Sequence, residues 1–487
     1  MARLVFLRRI NIASLTNWLA ACTVAVACFG VLQTPALAQF PGGGGGGIGG
    51  GGGGGNTIGG GNSSGVVVDA DGVLQNVSVS DPTGELARQR AQEAITKLDG
   101  KVARKSPLRK VSLTRLERIA AQRLADGRGL DDEMLHLAGI TRLQYVFCYP
   151  ESGDVVIAGP AEAWGIAPNG RPLALDSGRP VLELQDLVVA LRAFPPGAGQ
   201  KAPLIYCSID PTSEGLARMQ QFLKGYRPSP NDEQFIVEQL RERLGKQVIT
   251  VGGVSPRTHF AQVMVEADYR MKLIGIGLEQ PPVRLASYVE RANPASISRN
   301  ALTRWYFVPN YECARVSDDA MAMELVGDGV KLVGENEMVQ GDGSRAAAGA
   351  FNRASDSFVK AFTKVYPKLA ERSPVYAQLR NCIDLAVAAA FMQNQDYYGL
   401  VGWKPEMFAS EEMYPVATLN APKEVASAVN SMWKGSTLVT PIGGGVEIRP
   451  NQAVTSTNLL DDEKGTVKEA RTAIDLSKLA PDQWWWD

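Results

Sequence analysis

Only two histidines, His136 and His259, occur in the 487 residues of this chain, and that scarcity limits its chemistry. A site built from several imidazoles is excluded, and with it the multi-histidine metal centres. His259 follows Ser255-Pro256, a pair suited to the N-cap and first position of a helix. In that first turn the positive helix end would depress the histidine pKa and hold the ring neutral. A neutral imidazole there could act as a general base, with Cys207 or Ser208 on the neighbouring loop as nucleophile. Capping or packing is the blander alternative. His136, in DDEMLHLAG, falls on the apolar side of a short helix and reads as a packing residue.

Carboxylates are the other acid–base candidates. Asp131-Asp132-Glu133, Asp318-Asp319 and Asp461-Asp462-Glu463 form clusters, and paired acids can do glycosidase-type work. Runs of this kind are usually solvated or open a helix, and nothing in the sequence brings two of them together. Asp69-Ala70-Asp71-Gly72 matches the start of a calcium loop but lacks its terminal glutamate, so it reads as a turn. Gly61-Asn62-Ser63-Ser64-Gly65 fits the G-x-S-x-G elbow, which needs a strand before and a helix after. Here glycine precedes and a strand pattern follows. Gly341-Asp342-Gly343-Ser344-Arg345-Ala346 fits G-x-G-x-x-A, without a buried strand before it or an acid closing a later strand. It reads as a surface loop. No P-loop pattern occurs, and no cofactor or metal is implied.

The first 61 residues concern address, not chemistry. Arg3, Arg8 and Arg9 precede an apolar stretch from about Trp18 to Leu32, and Ala36-Leu37-Ala38 is a signal-peptidase pattern. Cleavage after Ala38 starts the mature chain at Gln39. From Gly42 to Gly61 only Ile48, Asn56, Thr57 and Ile58 interrupt the glycine, a composition for a flexible tether. Leu19-Ala20-Ala21-Cys22 also fits a lipid-modified cysteine, although the most apolar stretch lies after Cys22. Both readings export the protein to a periplasmic or extracellular setting.

Loss of the three leader arginines leaves 47 basic against 51 acidic residues, a net of about −4, which argues against a nucleic-acid partner. No mature segment reaches the roughly 18–20 apolar residues of a membrane helix. Four cysteines remain, Cys148, Cys207, Cys313 and Cys382, in apolar surroundings and without a CxxC pair. They read as buried thiols with at most one bridge; the pairing is left open.

Periodicity supplies the elements that would position these groups. VVVDADGVL reads as a hairpin, Glu85 to about Leu124 as basic helical sequence, and LQYVFCYPESGDVVIAGPAEAW as a second hairpin. LELQDLVVALRAF is helical, PLIYCSI and KQVITV are strands, and TSEGLARMQQFL and DEQFIVEQLRERL are helices, the second capped by Asn231. Phe260–Ile274 alternates in places, yet its apolar residues gather within about 100° of a helical wheel. Glu266–Arg270 and Asp268–Lys272 are acid-first pairs four apart, which decides for a helix. Further strands are expected in ALTRWYFVPNYECARV and GVKLVGENE, and long helices over Phe351–Tyr366 and Pro374–Gln395.

The fold class is α/β or α+β, with mixed sheets, strand–loop–helix units and a helix-rich C-terminal part. The expected organisation is a signal peptide (1–38), a glycine-rich arm (39–65), a mixed α/β body (66–285), a second α/β region (295–450) and an extended tail (451–487). That tail ends in Trp484-Trp485-Trp486, which would dock a partner or pack on its own body.

Several strings, among them YCSIDPTSEGLARMQQFL, ADYRMKLIGIGLE, RWYFVPNYECARVSDDAMAMELVG and SPVYAQLRNCIDLAVAAAF, resemble exported planctomycete proteins classified only as a domain of unknown function. The resemblance runs from about Val66 to Trp403. It implies an extracytoplasmic setting and carries over no active residue, cofactor or substrate. The expectation is an exported, non-enzymatic protein that binds or scaffolds an envelope partner. The alternative is a hydrolase using His259 or acids of the α/β unit.

Overall fold

Alternation along the strands dictates the layering. In Tyr145–Tyr149, Val146 and Cys148 join one core while Phe147 and Tyr149 join another; in Asp154–Ala161, Val155 and Ile157 oppose Val156 and Ala158. A sheet apolar on both faces must be covered on both. The computed structural model describes residues 63–197, 203–227, 229, 231–293, 301–340, 345–347, 352–433, 437–439 and 442–487. The signal and most of the glycine arm lie outside these residues.

Two sheets organise the body. The nine-stranded sheet runs Ser63–Val68, Val73–Val79, Glu424–Ala426, Lys246–Gly252, Ile205–Asp210, Ile442–Ile448, Ala301–Pro309, Val330–Val339, Arg345–Ala347. Its neighbours are antiparallel except at Val73–Val79 with Glu424–Ala426 and at Ala301–Pro309 with Ile442–Ile448. The seven-stranded sheet runs Leu459–Asp461, Ala314–Val316, Ala322–Leu325, Tyr145–Tyr149, Asp154–Ala161, Ser106–Ser112, Trp485–Trp486. One continuous core unites the inward residues of both sheets with helices Leu184–Ala193, His259–Gly275 and Pro374–Asn394. Pro374–Asn394 is buried around most of its circumference, as its unbroken apolar sequence requires.

The outer faces have their own covers. Helices Ser213–Gly225 and Glu233–Leu244 pack Leu216, Met219, Ile236 and Leu240 against Leu302. Leu302 alternates with the inward Trp305 and Phe307 of its strand. Val467 and Leu476, from the C-terminal segment, cover Phe147 and Tyr149.

Close backbone approach fixes the His259–Gly275 helix on the nine-stranded sheet. A Cβ at Gly275 would lie 2.1 Å from the Trp305 ring, so only glycine admits that indole. Gly444, at φ +119°, passes so near that a Cβ would sit 1.9 Å from the Trp305 carbonyl oxygen. Beneath them Lys272 Nζ donates to Asp268 Oδ2 (2.8 Å), the Ile209 carbonyl (2.8 Å) and the Gly444 carbonyl (3.1 Å). The helix is thus bound to two adjacent strands by a buried cation.

The mixed α/β class, the hairpins and the two long C-terminal helices are as the periodicity indicates. Three local expectations are corrected. The basic stretch Glu85–Leu124 is interrupted: Ser106–Ser112 is a strand because Val111, Ser112 and Arg109 are buried against the seven-stranded sheet. The His259 helix begins later than Ser255, since Thr258 accepts from Ala261 N and is the N-cap. Asp232, not Asn231, holds the N-cap position of Glu233–Leu244.

The expected division at 285–295 does not separate sheets, because Ile205–Asp210 pairs with Ile442–Ile448, which pairs with Ala301–Pro309. The segment after 451 is also more than an extended tail. It holds a helix, Thr466–Thr472, and two strands of the seven-stranded sheet. Among the described residues no helix is long and apolar enough to cross a membrane.

Candidate functional site

The His259–Gly275 helix carries one polar row through an otherwise buried surface. Residues 259, 266 and 270 fall within about 20° of one direction at 100° per residue. His259 is the first helical residue, and its Nδ1 lies 2.9 Å from Asp186 Oδ2 and 3.1 Å from Asp186 Oδ1. Its Nε2 lies 3.5 Å from Glu183 Oε1. Further along, Glu266 pairs with Arg171, whose other amine meets Gln378. Arg270 donates to Glu279 at 2.8–2.9 Å and lies 3.6 Å from Glu266.

Glu183 and Asp186 occupy the N-cap and first turn of Leu184–Ala193, where carboxylates are favoured by the helix dipole. Two positive helix ends therefore converge on two carboxylates and one imidazole. Burial by itself pushes the His259 pKa down; Asp186 and then Glu183 overcome it and raise it to about 9. The expectation of a neutral ring from the helix dipole is reversed, because two full negative charges outweigh a partial positive one. Burial also holds Asp186 above the ordinary carboxylate range, against the pull of His259.

Ligand atoms of Glu183, Asp186 and His259 lie within 4.8 Å of one another, so among the described residues these are the set that could hold a metal ion. Charge balance favours a proton instead. The carboxylates raise the ring's pKa to about 9, so near neutral pH a metal would have to displace the proton that the imidazolium already holds. Both ring nitrogens also face carboxylates, as in a clamp.

The proposed nucleophiles are not delivered to His259. Cys207 is 1% exposed on the inner face of its strand, and its thiol is held well above the ordinary value by burial and then by Asp268. Ser208 is the next residue of that strand, pairing with Thr250 and Gly445. All four described cysteines are free and buried; burial lifts Cys148 and Cys313 to about 12.

Other sequence candidates have local work. His136 Nδ1 lies 2.8 Å from the Asp132 carbonyl, and its ring is 5.6 Å from Trp164 beside a pocket of about 400 Å³. Asp131 caps the Asp132–Leu135 turn, Asp318 pairs with Lys468, and Asp462 accepts from Val467 N and Lys468 N. Asp69 Oδ1 accepts from Asp71 N and Val73 N, closing a hairpin turn. Ser63–Gly65 open an edge strand, while Gly341–Ser344 lie outside the described residues. Trp485 and Trp486 pair with Val111 and Lys110, so the triplet packs on its own body.

Sequence reading missed Glu183, Asp186 and Arg171. Asp186 and His259 are 73 positions apart, and no local motif links them. The usable signal was the polar row 259–266–270 on an apolar helix, which demands partners from elsewhere.

Fold and site together define a mixed α/β protein whose central helix carries a row of ion-paired side chains. Residues 207–288 match a family described as "Protein of unknown function (DUF1598)". No curated protein and no solved structure matches the chain. The matched stretch is narrower than the resemblance from about Val66 to Trp403. It contains His259, Glu266, Arg270 and Glu279, whereas Arg171, Glu183, Asp186 and Gln378 lie outside it.

Proposed function

We propose that the protein is an exported, non-enzymatic binding or scaffolding protein of the cell envelope, spaced by its glycine arm. One observation carries this reading: the C-terminal segment forms one wall of an open groove of about 810 Å³, of mixed polar and apolar lining, over the Tyr149–Asp154 turn. Leu476 and Ser477 face Arg115, Arg118, Tyr149 and Ser152 across it. The size suits a ligand or a partner segment, and guanidinium and aromatic side chains are favoured at such contacts. Polar bonds pin the outer wall: Arg118 to the Pro481 carbonyl (2.5 Å), Arg115 to the Ala480 carbonyl (3.3 Å) and Arg471 to the Cys148 carbonyl (2.8 Å).

The test has two arms. N-terminal analysis of the protein recovered outside the cytoplasm is expected to begin at Gln39; retention of residues 1–38 in the cytoplasm defeats export. A chain beginning at lipidated Cys22 would turn the arm into a leash. A photo-cross-linker at Ser477 is expected to trap an envelope component that Arg118→Glu releases, while one at the exposed Phe235 does not. Equal trapping at both positions defeats the groove.

The alternative is a hydrolase with His259 as its base, which the pairing of the ring with Glu183 and Asp186 opposes by raising its pKa to about 9. It requires a proton-free His259 near neutral pH. His259→Gln abolishing hydrolysis of an ester or glycoside probe, with the fold intact, would promote it over the binding reading.

A further inference from the structure

Helix Pro374–Asn394 buries a second charged cluster, on residues other than those that meet His259. Asp384, 1% exposed, lies 3.4 Å from Arg142 Nε, and Arg142 also donates to the Gly327 carbonyl at 2.8 Å. Arg380 is one turn before Asp384 on the same face. Its Nε is sealed from solvent without a hydrogen-bond partner, and its terminal amines make no hydrogen bond either among the described residues. A third guanidinium, Arg179, is near enough to repel Arg380 and, among the described residues, pairs with the exposed Glu371 at 3.6 Å.

The balance is unusual for an interior. Two guanidinium groups, Arg142 and Arg380, act on one buried carboxylate, with Arg179 beside Arg380, and Arg380 donates to no acceptor among the described residues. A buried donor without a partner costs about 1–3 kcal/mol, more when charged. Burial and then Arg142 depress the Arg380 pKa, whereas burial holds Asp384 above the ordinary carboxylate range. Solvent reaches the cluster along Arg142 and Arg179, whose side chains are 26% and 41% exposed. A planar fork of N–H donors with surplus positive charge is completed by an oxyanion, which accepts from two donors of one guanidinium at once.

We propose that Arg142, Arg179 and Arg380 form a binding site for a tetrahedral oxyanion, a phosphate or sulfate group. Asp384 sets the orientation of Arg142 and limits affinity by its own charge. The anion comes either as a free ion or as the terminal group of a phosphate ester.

Calorimetric titration of the full mature chain at fixed ionic strength tests this, with inorganic phosphate, sulfate and glucose 6-phosphate as separate probes. Saturable binding at one site per chain is expected for phosphate. Tighter binding of the ester than of inorganic phosphate identifies an ester-borne group, and the reverse identifies the free ion. Arg380→Met is expected to weaken binding by roughly tenfold or more, and Asp384→Asn to tighten it. Arg380→Lys, which keeps the charge without the fork, falls between wild type and Arg380→Met and covers the case in which Arg380→Met does not fold. Absence of saturable binding, or equal affinity in wild type and Arg380→Lys, overturns the site.

Discussion

Arg109 is a fully buried guanidinium and Arg380 a partly buried one with its Nε sealed, and they are finished in opposite ways. Arg109 is 0% exposed and uses five hydrogen bonds: two to Asp487 (2.8 and 3.0 Å) and one each to the carbonyls of Val102, Ala138 and Arg104. Trp485 closes over its face at 4.8 Å. Arg380, in the second turn of helix Pro374–Asn394, makes none with its guanidinium among the described residues. A buried charge is tolerable when its donors are all met, so the first site is structure and the second is structure awaiting a ligand.

The comparison breaks most easily at Arg109. Arg109→Met removes the fork and leaves three carbonyls and Asp487 without their donor. We expect a loss of about 3–5 kcal/mol in urea unfolding, with the C-terminal strand released. A loss below about 1 kcal/mol would show that hydrogen-bond completeness does not mark a structural guanidinium here.

Lys272 is the next most sensitive partner. It neutralises Asp268, whose pKa burial raises to about 6 even with the ammonium 2.8 Å away. Lys272→Met should cost about 3 kcal/mol at pH 8, where Asp268 is ionised, and clearly less at pH 5, where it is protonated. Unfolding midpoints at the two pH values measure the difference. A loss independent of pH would mean that packing and not charge gives Lys272 its role.

These partners explain what could be read in advance. Helix His259–Gly275 was legible because period and the Glu266–Arg270 and Asp268–Lys272 pairs agree, and both pairs form, although the cap is Thr258 and not Ser255. That Asp268–Lys272 is buried was not legible, since an i,i+4 pair has the same spelling on a surface or beneath a sheet. Ser106–Ser112 was hidden inside basic sequence because Arg109 and Lys110 lie in a strand whose acceptors come from elsewhere. The site was least legible. His259 was visible as a candidate, but its charge state is set by Glu183 and Asp186 through a long-range contact that no spacing records.

His259 offers the third contrast, a charge completed by two carboxylates and still 21% exposed. Its folded pKa of about 9 lies above the usual value near 6.5. The pairing therefore stabilises the fold fully below pH 6.5, and that contribution is lost as pH rises through about 9. The upper limit is about 3 kcal/mol. In Asp186→Asn the same ring, still buried but without its main counter-charge, should titrate below 6.5 by NMR. His259→Gln should flatten the pH dependence of stability between 6.5 and 9. An unchanged slope there would remove the clamp.

The smallest effect sharpens the comparison furthest. Without phosphate or sulfate, Arg380→Met should change stability by less than about 1 kcal/mol, because methionine keeps the packed stem and removes a guanidinium that donates to no acceptor among the described residues. Loss of that charge also relieves Arg142 and Arg179, which opposes any gap left by the shorter side chain. Added phosphate should then stabilise the wild type alone, since only the folded, forked protein binds it. A loss above about 2 kcal/mol in anion-free buffer would make Arg380 a structural counter-charge to Asp384. The two arginines would then differ in geometry and not in purpose.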